Sequence, residues 1–307
     1  LGADEAPPAI ISLYTGEKME AHLRAVMDGG ELSGYGEDTT VIATGNNEVA
    51  PITANLEDRN RTAPFPFCGN RFEFRAVGST QNIGFPMAVL NTAYAESMGV
   101  LSDKIEGGTA VRDAVSEMLS ENFNVIFNGD GYSSEWPVEA EKRGLINLNN
   151  SYEAIARLNS EKNKDLFVAQ KVFTSDEVDA RQEIMAERLA TDIVIEADCM
   201  VNMINTGVLP ACAKDLRDFD GTGLGASRKA LYSSVEKSVQ ELKTVVDDIP
   251  GDALEAASYA QYKIRPAMEG ARSKADAAEE LVNAEYWPFP KYKDMLFDHH
   301  SQPSHYE

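Results

Sequence analysis

At 307 residues with 43% hydrophobic content, the chain is long enough to bury a sizeable core, divided between two units. Its formal net charge of −22 argues against nucleic acid or an anionic membrane as partner, since both attract basic faces. Cys68, Cys199 and Cys212 show no CxxC spacing, so neither a disulfide framework nor a zinc site is indicated and a reducing compartment is expected. No apolar run reaches the roughly 18 residues that a spanning helix requires.

The opening LGADEAPPAIISL has no initiator methionine, basic stretch or long apolar segment. It is not a signal peptide and reads like the middle of a domain, so the chain is expected to be a fragment. Residues 9–15 (AIISLYT) predict a short strand. In GEKMEAHLRAVMDGG, Met19, Leu23, Val26 and Met27 recur at helical spacing, and the pattern stops at Gly29-Gly30. TTVIAT (39–44) predicts a second strand, and residues 45–60 read as polar and turn-rich. GNRFEFR (69–75) alternates as a strand does, with Arg71, Glu73 and Arg75 on one face and Phe72 and Phe74 on the other. FPMAVLNTAYAESM (85–98) predicts a mostly apolar helix with Pro86 in its first turn.

From about residue 109 the pattern changes to amphipathic helices. Thr109 is placed to cap a helix carrying Val111, Val115, Met118 and Leu119. FNVIFNGDGYSSEW ends in a Gly/Asp-rich turn. Thr174 and Glu177 make a capping-box pair opening a long helix that reaches about Asn205 and is ended by Gly207 and Pro210. A further helix runs from about Ala226 to Ile249, with Leu231, Val235, Leu242 and Val246 near heptad spacing. The last, from Asp252 to about Asn283, must kink or break at Pro266. Long helices with short Gly/Pro breaks predict an antiparallel bundle.

Most motif-like segments have a plain structural reading. GTGLG (221–225) lacks the lysine and the preceding strand of a phosphate loop, so it reads as a hinge between helices. FNGDGYS (127–133) has one carboxylate where a calcium loop needs a ladder of them. His299, His300 and His305 sit in a polar tail.

Two linked segments differ. GADEAPP (2–8) holds Glu5 just before a double proline, on stiff extended backbone. NRTAPFPFCGNRFEFR (60–75) holds Arg61, Arg71, Arg75 and Glu73. The plain reading is an exposed strand with a small salt-bridge ladder. The sharper one is the equipment of an ATP-dependent ligase: arginines for phosphate and carboxylate, a carboxylate for a hard metal, and a glutamate on a loop.

At these residues the sequence resembles the glutamine synthetase family, whose catalytic domain carries a G-x-E-A-P flap, an N-R-[ST] segment and an R-[IF]-E-x-R strand. Here they read Gly2-Ala3-Asp4-Glu5-Ala6-Pro7, Asn60-Arg61-Thr62 and Arg71-Phe72-Glu73-Phe74-Arg75. DEAPPAIIS, NRTAPFPF, GNRFEFRAVGS, FNGDGYSSEW and WPFPKYKDMLF look most like the long type III members, so the resemblance spans nearly the whole chain as the C-terminal part of a longer protein. It departs at Pro66, where the family often has another arginine, and in the long stretch between flap and Asn60.

The resemblance implies an α+β fold. Residues 1–108 would be the C-terminal part of a β-barrel-like catalytic domain, 109–295 a long-helix antiparallel bundle, and 296–307 a flexible tail. It implies ATP-dependent joining of ammonia to glutamate through γ-glutamyl phosphate, with Mg²⁺ or Mn²⁺. Glu5 would be the flap glutamate that takes a proton from ammonium. Arg61 would contact the ATP phosphates and the group in transfer, Arg71 the phosphate side, and Arg75 the glutamate substrate, with Glu73 a metal ligand. A ring-type homo-oligomer, a dodecamer by resemblance, is implied, in the cytoplasm or a plastid, with no nucleic acid or membrane partner and no activity from the fragment alone. The rival readings are a glutamate–amine ligase of the same superfamily and a non-catalytic helical assembly protein.

Overall fold

A computed structural model describes residues 7–32, 39–46, 48–55, 63–76, 78 and 81–297. The chain is mostly helical with few, short strands, and it divides into two compact units, Leu1–Val178 and Asp179–Glu307. The boundary expected near residue 108 falls inside the first unit.

In the first unit β1 (Leu13–Tyr14) leads into α1 (Glu17–Met27), which ends where Gly29 adopts a φ of 91°. β2 (Thr39–Ile42) and β3 (Ile52–Asn55) form an antiparallel pair in the register Thr39↔Asn55 to Ile42↔Ile52. β3 lies in the stretch expected to be turn. β4 (Phe65–Pro66) runs parallel to β1. α2 (Gly84–Glu106) follows, longer than its sequence pattern predicts, then α3 (Val111–Asn122), α4 (Trp136–Lys142), α5 (Ser151–Ala156) and α6 (Glu161–Ala169).

Thr109 does not cap α3. Ala110 holds that position without a side-chain bond. Instead the Thr109 N–H donates to the Lys104 carbonyl (3.0 Å) and the Gly108 N–H to that of Ile105 (3.0 Å), with Gly108 at φ 99°. This pair of bonds closes the end of α2, and only glycine takes that backbone angle without strain. Thr109 therefore ends one helix where its side chain suggested the start of the next.

α7 (Ser175–Met203) opens on the capping box that the sequence predicts. The Thr174 N–H donates to Glu177 Oε2 (2.8 Å), and the Glu177 N–H returns to Thr174 Oγ1 (3.3 Å). Gly207 and Pro210 do not end this helix, contrary to expectation. It passes through a π turn at Ile204–Val208 directly into α8 (Leu209–Asp218). The same device recurs after α9 (Gly225–Asp247) and α10 (Ala253–Tyr259), where a π turn at Ala260–Ile264 leads into α11 (Arg265–Leu281); α12 (Tyr292–Phe297) closes the described chain. A proline clashes with the carbonyl four residues before it. For Pro210 and Pro266 those carbonyls belong to Thr206 and Tyr262, and both lie inside the widened turns. Gly207 has a different task. A Cβ there would stand 3.0 Å from the Pro288 ring and 3.3 Å from Phe289, so glycine lets the Trp287–Phe289 segment close on the turn.

The second unit is built on one continuous core. It includes Ile193, Ala197, Ile204 and Val208, then Val235, Val239 and Leu242 of α9, with Ile264 and Ala271 beyond. Small residues on α11 allow its close packing on α9. GTGLG is the hinge between α8 and α9, as expected.

Candidate functional site

The sheet of the first unit places the sequence-predicted charges. The Phe127 N–H donates to the Leu13 carbonyl (2.9 Å) and the Phe67 N–H to that of Tyr14 (2.7 Å), so β1 lies between segment 126–127 and β4. Beyond β4 the chain turns back along itself. Cys68 N–H donates to the Arg71 carbonyl (2.7 Å), Glu73 N–H to Pro66 (3.0 Å) and Arg75 N–H to Pro64 (2.7 Å). An antiparallel pair would return a bond from Pro66 and from Pro64, but proline has no N–H. The ladder is one-sided, so 71–75 is strand-like only through the Phe67↔Phe72 bridge.

The alternation nevertheless holds. Phe72 and Phe74 meet Phe65 edge-on, at centroid distances of 5.9 and 5.6 Å. On the opposite face Glu73 lies between two guanidinium groups. Its Oε1 accepts from Arg71 Nη2 (2.6 Å) and Nε (3.0 Å), and its Oε2 accepts from Arg75 Nη2 (3.1 Å). Hydrogen bonds from Arg71 first and Arg75 second hold the Glu73 carboxyl below the usual carboxylate range, so it stays ionised at neutral pH. The Arg71 side chain is 62% exposed, Glu73 34% and Arg75 23%.

Arg71, Glu73 and Arg75 are thus brought together, while Glu5 and Arg61 lie outside the described residues. Glu73 is an ionised, half-exposed oxygen donor, which fits one position in the shell of a hard divalent cation. Among the described residues no three Asp, Glu, His or Cys gather as a metal group, so the other donors would come from elsewhere. The arrangement can pair with anions through two arginines and with a cation through one carboxylate.

Sequence reasoning missed the clamp at Asn128, which read as part of a turn. Its Oδ1 accepts from the N–H groups of Thr15 (2.9 Å) and Gly16 (2.8 Å), and its Nδ2 donates to Glu20 Oε2 (2.5 Å). It therefore fastens the end of β1 to the start of α1. Beside it Phe127 stacks on Trp136 at 3.7 Å, and Arg143 lies over Phe127 while donating to the Ile126 carbonyl (2.6 Å).

Residues 110–221 match the family described as Glutamine synthetase C-terminal domain. The chain is 34% identical to the type-3 glutamine synthetase of Dictyostelium discoideum over 97% of its own length and 44% of that protein's. It is 30% identical to a glutamine synthetase of Bacteroides fragilis (strain YCH46) and 32% identical to one of Butyrivibrio fibrisolvens, in each case over 97% of this chain and 45% of the relative. Over nearly its whole length the chain is a relative of the glutamine synthetases. It spans less than half the length of these relatives. The matched glutamine synthetase domain opens at Ala110, the residue before α3, and closes at Gly221, just beyond α8. The Arg71–Glu73–Arg75 face precedes that domain in the chain.

Proposed function

We propose that the full-length polypeptide containing this chain is a glutamate–ammonia ligase. The γ-carboxylate of glutamate would take the γ-phosphoryl group of ATP, releasing ADP, and ammonia would then displace phosphate from γ-glutamyl phosphate to leave glutamine. The observation that carries this reading is the arginine–glutamate–arginine face at the sheet edge of a chain related to glutamine synthetases.

Arg71 would face the phosphates and Arg75 the substrate carboxylate, whose two oxygens suit a guanidinium fork. Arg61 would meet the ATP phosphates and the group in transfer. Glu73 would supply one oxygen to a bound Mg²⁺ or Mn²⁺, which when present neutralises crowded phosphate charge. Glu5 would attract ammonium and accept its proton. In this reading residues 1–108 complete a barrel-like catalytic domain, 109–295 form an antiparallel helical bundle, and the enzyme is a cytoplasmic, ring-type homo-oligomer, a dodecamer by family resemblance. Among the described residues no helix is long and apolar enough to cross a membrane.

The test is the full-length protein with ATP, glutamate and ammonium, following glutamine and phosphate together. Wild type should form both in step. Glu5→Ala should release phosphate with little glutamine, because γ-glutamyl phosphate still forms but ammonia is no longer delivered deprotonated. Turnover with an organic amine but not ammonium, or no ATP-dependent product, would overturn the reading.

A further inference from the structure

The first unit has a helix whose composition contradicts its surroundings. Between Gly84 and Ser102, α2 carries a single charged residue, Glu96, in a chain of net charge −22. That charge is engaged within the unit, accepting from Gln170 Nε2 at 2.6 Å. A helix that is apolar on every side belongs in an interior, yet Thr92 is its only buried residue. Ile83 is 74% exposed, Met87 53%, Tyr94 67% and Met98 47%. The spacing of these four puts them along one stripe of the helix.

The same unit is short of core in other ways. Among the described residues its connected cluster of buried residues is Ile10, Trp136 and Ala140, with Phe127 and Leu145 packed against it. Its sheet is open beyond segment 71–75, with no further strand paired to it among the described residues. An unpaired edge and an uncovered apolar helix within one unit mark a fold awaiting more chain.

We propose that the exposed stripe of α2 is the seat of the polypeptide that this chain lacks: the part of a full-length glutamine synthetase outside the aligned region, folding onto α2 within the same protomer. The inference rests on the relation to glutamine synthetases, in which more than half of each relative's length has no counterpart here. A bilayer is a poor alternative. α2 is not long and apolar enough to cross one, and a net charge of −22 opposes lying on an anionic surface. A second copy brings another −22 to the contact, whereas the missing chain is held at high effective concentration by its covalent link.

Oxidation of Met87 and Met98 by dilute hydrogen peroxide, read by peptide mass spectrometry on the wild-type full-length protein, tests this. Burial should slow both at least about tenfold relative to the same protein unfolded in guanidinium, since sulfoxide formation follows exposure. The protection should persist when the oligomer is diluted to protomers. Oxidation at the unfolded rate, or protection lost on dilution as a second copy would give, overturns the proposal. Tyr94→Lys supplies a second reading: the full-length protein should melt earlier, and an unchanged melting temperature counts against it. Oxidation is read without turnover, and the glutamine assay on the same sample reports separately on the catalytic reading.

Discussion

Two clusters of arginine and carboxylate, one in each unit, are opposites. In the second unit Asp215 is 1% exposed. Its Oδ2 accepts from Arg228 Nη1 (2.6 Å) and the Tyr232 hydroxyl (2.7 Å), and its Oδ1 from the Asn283 N–H (2.9 Å). Arg228 also donates to the Leu281 carbonyl and stacks over Phe219 at 4.1 Å. The cluster joins α8, α9 and the end of α11 at a core already continuous through those helices. In the first unit Glu73 and its arginines lie at the surface, from 23% to 62% exposed, on a sheet edge. Dry ion pairs are structural because losing one partner strands the other. Wet ones contribute little stability and remain available to a ligand.

On this contrast stability is expected to rest on one cluster and the proposed chemistry on the other. The chain's two tryptophans allow a direct check, since Trp136 lies in the first unit and Trp287 packs on the core of the second. The largest effect is expected from Asp215→Ala, which leaves Arg228 without its carboxylate. It should cost about 3–5 kcal/mol of stability, seen in the denaturation of a protein in which Trp287 is the only tryptophan. In a matched protein that keeps only Trp136 the signal should move less, and equal shifts of both probes would erase the distinction between units.

Glu73→Gln should do the reverse in the full-length enzyme. Melting should be unchanged, while metal-dependent turnover falls at least about a hundredfold through loss of a hard oxygen donor. Full activity at every Mg²⁺ or Mn²⁺ concentration would return Glu73 to a surface ladder.

A smaller effect separates the clusters by pH. Burial, and then the bond to Asp215, push the Tyr232 hydroxyl up to about 12. A group raised in the folded state contributes stability that is complete below its unfolded pKa and lost as pH climbs toward the folded one. For Tyr232 the window is roughly pH 10 to 12, and the loss is on the order of 2 kcal/mol. The Trp287 probe should register it, and Tyr232→Phe should flatten that slope. An alkaline transition unaltered by Tyr232→Phe would mean that another group governs it.

What the sequence made legible was local. Helical periodicity located α1 and α9, Thr174 with Glu177 announced the start of α7, and the alternation in 71–75 correctly put two arginines and Glu73 on one face. The misreadings share a physical cause. The local rule for Pro210 is that a helix stops, and nothing nearby reveals that a π turn absorbs the clash, whereas the kink or break expected at Pro266 is met by the π turn at Ala260–Ile264. Gly207 looked like a terminator because its reason, the Pro288–Phe289 segment, is about eighty residues further along. Asn128 answers to Thr15 across 113 residues, and Asp215 to Asn283 across 68. Thr109 was misassigned because a threonine suits a cap equally well wherever a helix begins, while Gly107-Gly108 before it is the stronger signal for an ending.

Arg75 sharpens the comparison within the exposed cluster itself. It flanks Glu73 as Arg71 does, but its side chain is 23% exposed against 62%, and Cys68 Sγ lies 4.0 Å from its Nη2. Packing of that kind fixes where a guanidinium points, which suits a group that must present a planar fork to a carboxylate. Arg75→Lys keeps the charge and loses the fork, because an ammonium is a point charge without two parallel N–H groups. In the full-length enzyme the KM for glutamate should rise about tenfold, with that for ATP changed far less. Arg71→Lys should show the opposite preference if the more exposed arginine serves the phosphates. Initial rates with each substrate varied at saturation of the other decide it, and equal effects on both would remove Arg75 from the glutamate side.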